Sequence, residues 1–321
     1  MIFPVFDLHC DTALELLGKT GDKIGSLRTN KLHIDLERAS VHSAYCQCFA
    51  CFTTPEMKKW TGKDPVVIFE RELAAIMQQT EKNQDLISIA YSPDEIEANR
   101  KAGRMSAVLT IEGPAGFGYD PELLEDLYNV GFRVSTLGWN EKNVLCGSHV
   151  TGGGLTEQGR EYVRKAQSLG ILIDVSHISD EAFWDIMQIT DAPIIATHSN
   201  SRAVWDVSRN LTDDMFLAIC KTGGVAGINL YTDFLGENAN IDTVCDHIQH
   251  FITLDPTGKH IALGGDLDGC ETLPEGFRGV QDYQKIGQRL IERGIPEETV
   301  LDIFWNNAYE VMCNAVSKHK K

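Results

Sequence analysis

Eight short apolar runs recur along this chain, separated by longer stretches that mix polar and apolar residues at helical period. In order they are VFDLHCD (5–11), SAYCQCFACF (43–52), MSAVLTIEG (105–113), FRVSTLGW (132–139), ILIDVSH (171–177), PIIATHS (193–199), GGVAGINLY (223–231) and HIALGGD (260–266). Val, Ile, Leu, Ala and Thr dominate both alternating positions, which is the composition of parallel strands covered on both faces. The helical stretches include 65–83, 121–131, 155–170, 180–190, 211–223 and 241–254, and Gly131, Gly170 and Gly223 stand where a helix needs a left-handed residue to stop. Strand and helix alternating eight times predict an α/β chain closed as a (β/α)8 TIM barrel. An open doubly wound sheet competes with it, but no glycine-rich phosphate loop follows the first strand. The segment 53–104 reads as an insert between the second and third strands, carrying one or two extra helices.

With 321 residues, 43% of them hydrophobic, the chain can fill one large core, so 1–321 is expected to form a single catalytic barrel domain. Lys and Arg total 29 against 46 Asp and Glu, and a formal charge of −17 disfavours phosphate backbones and anionic lipid. Neither nucleic acid nor a membrane is therefore an expected partner. The opening MIFPVFDLHCDT lacks a secretory pattern, no stretch nears the roughly 20 apolar residues of a bilayer span, and SKHKK carries no hydrophobic tail. A cytoplasmic location is expected. Nine scattered cysteines suit reduced thiols. Cys46, Cys48 and Cys51 read as small hydrophobes on a buried strand, because no second ligand pair follows at zinc-ribbon spacing.

A barrel collects its chemistry at the C-terminal ends of its strands. His9 and Asp11 close the first run, Glu112 the third, His177 the fifth, His198 the sixth and Asp266 the eighth. Residues two apart on a strand share a face, so the HxD pair can put an imidazole nitrogen and a carboxylate oxygen on one ion. Burying five such ligand types without metal would leave charge uncompensated. Three His, one Asp and one Glu exceed what one catalytic zinc needs, and a glutamate can bridge two ions roughly 3.5–4 Å apart. Two Zn2+ per chain are expected: His9, Asp11 and Glu112 on one, and Glu112, His177 and His198 on the other. Mn2+ or Co2+ could use the same donors. His149 is expected in a solvated loop, and His33, His42, His247, His250, His260 and His319 are given no role.

FDLHCDT, LTIEG, LIDVSHIS, IIATHSNSRAV, SRNLTDD and LGGDLDG, in that order from residue 5 to about 310, resemble the membrane (renal) dipeptidases of the amidohydrolase superfamily. The resemblance implies a binuclear zinc barrel that hydrolyses dipeptides. It places the HxD motif on His9 and Asp11, the bridging glutamate on Glu112 and the two further ligands on His177 and His198. It puts the arginine that grips the substrate's terminal carboxylate on Arg209, and the aspartate that works with the bridging water on Asp266. Arg202 falls outside the motif and is expected in a structural ion pair, and Asp268 is expected to cap a loop. The family histidine that reaches the scissile carbonyl is replaced by Trp139, which can donate one hydrogen bond or wall the pocket but cannot titrate. A homodimer is expected from the resemblance alone.

The expected reaction is attack of a metal-bridging hydroxide on the amide carbonyl, with Asp266 as general acid–base and Arg209 holding the carboxylate. An N-acyl amino acid or lactone hydrolase on the same barrel is the nearest alternative.

Overall fold

The computed structural model describes residues 2–18 and 25–319. Its strands are β1 (Val5–Asp7), β2 (Tyr45–Phe52), β3 (Ile87–Ile89), β4 (Met105–Glu112), β5 (Phe132–Thr136), β6 (Leu172–Asp174), β7 (Ile194–Ile195), β8 (Ala226–Ile228) and β9 (Ile261–Leu263). Hydrogen bonding runs in the order β7-β6-β5-β4-β2-β1-β9-β8, all parallel. A bridge between Ala196 and Ala226 brings the two ends together, with Gly227 N donating to Ala196 O at 2.7 Å. Eight strands thus form a nearly closed (β/α)8 TIM barrel, as the alternation predicts.

The insert is richer than expected. It holds the helices Met57–Thr61, Pro65–Lys82 and Pro93–Lys101, and between the last two β3 pairs with the first half of β4. A three-residue strand is too short to show a period in sequence.

Helix starts follow local chemistry. Thr156, Ser179 and Thr212 each accept from the backbone amide three residues on, opening the helices Glu157–Leu169, Asp180–Met187 and Asp213–Thr222. Gly170 and Gly223 end two of them at φ 80° and 78°.

Side chains alternate inward and outward. Phe6, Cys46, Val108, Val134, Leu172 and Ile195 belong to an inner cluster that also contains Trp305, Val311 and Met312, so the end of the chain plugs the barrel floor. Cys46, Cys48 and Cys51 are buried as small hydrophobes. With the floor filled, the open end lies at the strand C-termini. Among the described residues no helix is long and apolar enough to cross a membrane.

Candidate metal centre

The apolar runs outlast the hydrogen-bonded strands. β1 ends at Asp7, and Asp11 is the N-cap residue of the helix Thr12–Leu17. That carboxylate makes no capping bond, and its Oδ1 is buried without a partner. His9 and Asp11 still converge, through a turn rather than strand alternation, with His9 Nε2 3.5 Å from Asp11 Oδ2. Glu112 is the last residue of β4, whereas His177, His198 and Asp266 each stand three residues beyond β6, β7 and β9. His177 and Asp266 adopt positive φ, 73° and 55°, an uncommon conformation that aims both side chains into the mouth.

Glu112 lies between two donor groups. One oxygen, Oε2, is 3.2 Å from His9 Nε2, while Oε1 is 3.0 Å from His177 Nε2 and 3.8 Å from His198 Nε2. His177 and His198 also bring their Nε2 atoms within 3.0 Å of each other. Their tautomers follow from the opposite ring atoms. His177 Nδ1 donates to Asn140 Oδ1 at 3.0 Å; His198 Nδ1 donates at 2.6 Å to Thr197 Oγ1, whose own proton goes to Asp174. Both Nε2 atoms therefore carry lone pairs, and two lone pairs face each other across a buried gap. His9 Nε2 has no hydrogen-bond partner. Such a set is repulsive by itself and fits cations placed between the donors, with Asn140 and Thr197 orienting the ligands from behind.

The electrostatics agree. Burial holds His177 and His198 well below the ordinary imidazole range. Burial opposes charge on His9 too, but the carboxylates of Glu112 and Asp11 override it and raise its pKa well above 6.5. Burial pushes Asp11 up to about 6 and Asp266 up to about 8. Asp266 Oδ2 accepts from Asn229 Nδ2 at 3.0 Å, leaving Oδ1 3.8 Å from His9 Nε2. Gly269 is required here, since a Cβ on it would lie 2.1 Å from Asp11 Oδ2 and 2.5 Å from Asp266 Oδ1.

Arg209 is 4% exposed. Its Nη1 donates to Ser199 Oγ at 2.6 Å, and Nε and Nη2 are buried with no partner. Arg202, as expected, forms a two-pronged pair with Asp180 at 2.7 and 2.8 Å. Asp268 accepts from Thr12 Oγ1 and the His33 amide. Trp139 packs edge-on against Phe52 and Trp60 and lies 6.3 Å from the His177 ring, so it walls the site.

The family model described as Membrane dipeptidase (Peptidase family M19) matches residues 2–321. The chain belongs to this family. The chain is 35% identical over 214 residues to an uncharacterized dipeptidase of Schizosaccharomyces pombe, a match covering 64% of this chain and 52% of that one, so it spans about half the relative's length. It is 28% identical over 335 residues to the dipeptidase verJ of Clonostachys rogersoniana, covering 96% and 83% of the two chains. Among solved structures, a metallo peptidase from Rhodobacter sphaeroides, liganded with a phosphinate mimic of L-Ala-D-Ala, superposes with a TM-score of 0.86 at 25% identity, covering 98% and 100%. The chain thus shares both family and TIM-barrel fold with a protein described as a metallo peptidase.

Sequence reasoning missed the residues that hold the candidate ligands: Asn140, Thr197, Asp174 and Asn229 beside the centre, and Asp7 beneath His9. Asp7 Oδ1 accepts from the His9 amide at 2.9 Å, and Tyr283 donates to Asp7 from behind. His149 is a correction. Rather than being solvated it is half-buried, with Nε2 2.9 Å from Asn140 Oδ1 and Nδ1 3.0 Å from Ser208 Oγ, and burial lowers its pKa to about 4.

Proposed function

We propose that the protein is a binuclear zinc dipeptidase acting on dipeptides with a free C-terminal carboxylate. The division of Glu112, one oxygen toward His9 and the other toward His177 and His198, carries the reading. His9, Asp11 and Glu112 would hold one ion and Glu112, His177 and His198 the other. When bound, zinc at these donors would supply a water ionised near neutrality and a Lewis acid for the scissile carbonyl.

The chain's own residues supply the rest. Arg209 has two buried nitrogens, Nε and Nη2, without partners, so a carboxylate can be held there by a charge-assisted fork. That contact fixes the peptide bond over the cluster and converts binding into orientation. Asn229 pins one oxygen of Asp266 and leaves the other turned toward His9 and Asp11. From there Asp266 takes a proton from the attacking water and passes it to the leaving amine nitrogen. Trp139 closes one wall against bulk solvent.

Zinc reconstitution followed by elemental analysis tests the proposal. Two ions per chain are expected at full activity; full activity with one ion overturns the binuclear assignment.

A further inference from the structure

Opposite Arg209 the mouth opens into a cavity of about 150 Å3, bounded by Leu14, Glu15, Phe52 and Trp139, with Asp11 and Glu112 at its inner end. Arg209 follows β7, and Phe52 ends β2, which is the strand facing β7 across the ring of eight. A dipeptide whose carboxylate sits on Arg209 and whose scissile bond lies over the cluster must send its N-terminal residue this way.

The walls have a definite chemistry. Leu14 and the rings of Phe52 and Trp139 offer an apolar and aromatic slot, the rings meeting edge to face at 5.4 Å. The charges around it are acidic. Asp11 and Glu112 belong to the proposed metal centre, and Asp268 is occupied by Thr12 and the His33 amide. Glu15 forms no ion pair among the described residues and stands exposed at the rim. Lys31 borders a wider neighbouring cavity of about 350 Å3, which Glu15 also lines, without pairing to Glu15. An apolar aromatic slot ending in a carboxylate that is unpaired among the described residues suits a long side chain with a cationic tip, whose stem packs while its head stays hydrated.

We propose that this cavity selects a basic N-terminal residue, lysine or arginine, with its stem between Leu14, Phe52 and Trp139 and its charge at Glu15. The proposal rests on the dipeptidase reading and deepens it by naming the substrate class.

The test compares Lys-Ala with norleucyl-Ala, which keeps the unbranched stem and lacks the ammonium. It is made twice: as kcat/KM on the zinc-loaded enzyme, and as Kd by calorimetry on zinc-loaded Asp266→Asn protein, which would bind without turnover. A cation–aromatic contact and one partly hydrated ion pair support about a tenfold preference for Lys-Ala, weakening with salt. Glu15→Gln should reduce that ratio to about two or three, and Glu15→Lys should bring it below one. A ratio within twofold of one in the parent overturns the proposal, as does an unchanged ratio in Glu15→Gln. Tighter binding of Lys-Ala without hydrolysis of any dipeptide would overturn the dipeptidase reading and uphold the cationic subsite.

Discussion

At the scale of single residues, the proposed function divides the site into groups that would hold substrate and groups that would move protons. Arg209 is committed only through Nη1, so its Nε and Nη2 are the donors an anion could take. Arg209→Met should lower kcat/KM for free dipeptides by roughly 30- to 10³-fold, a loss of about 2–4 kcal/mol. Dipeptide amides lack the carboxylate and should lose little more in the variant than in the parent. Equal losses on acid and amide would assign Arg209 to the fold instead. Asp266→Asn keeps the hydrogen bond network near Asn229 but cannot carry a proton. We expect the zinc content of the reconstituted parent to be kept and kcat to fall by at least about 10²-fold. A near-parental rate with full metal content would remove Asp266 from the reaction.

At the scale of elements, the seam between β7, β8 and β9 depends on missing side chains. A Cβ on Gly227 would lie 2.0 Å from the Thr197 carbonyl oxygen, and one on Gly264 would lie 1.7 Å from the same atom. These are backbone contacts that no rotamer can relieve. Gly227→Ala should therefore destabilise the barrel by about 3 kcal/mol or more, read as a lower denaturant midpoint. The same seam positions His198 and Arg209, so residual folded protein should also bind zinc less tightly. The helix positions were largely legible because caps and terminal glycines are local signals. β3 was not, since three residues gain their strand conformation from pairing with β4.

For the whole molecule, acid sensitivity follows from imidazoles buried in neutral form. His42 donates from Nε2 to Val280 O at 2.9 Å and accepts from Gln284 Nε2 at 2.8 Å, and burial lowers its pKa from 6.5 to about 4. The unfolded chain binds a proton at His42 below about pH 6.5 and the folded chain does not until about pH 4. Stability from this group is thus complete above pH 6.5 and declines as pH falls toward 4. At pH 5 the effect approaches about 2 kcal/mol. His42→Gln should narrow the parent-minus-variant gap in unfolding free energy by about that much between pH 7 and pH 5. A gap independent of pH would show that His42 is protonated in the fold.

The chain by itself determined the barrel and the inventory of candidate ligands. His, Asp and Glu at the ends of apolar runs are local features, and alternation of those runs with helical stretches is a local period. Folding alone decided how those groups face one another. Glu112 lies 65 residues or more from His177 and His198 in sequence, and only the curvature of the sheet sets its two oxygens between separate imidazoles. His149 shows the same limit: its partners lie 9 and 59 residues away, so no nearby pattern marks it as part of the site. The positive φ of His177 and Asp266 was equally hidden, because a left-handed residue other than glycine is imposed by its surroundings rather than announced by its type.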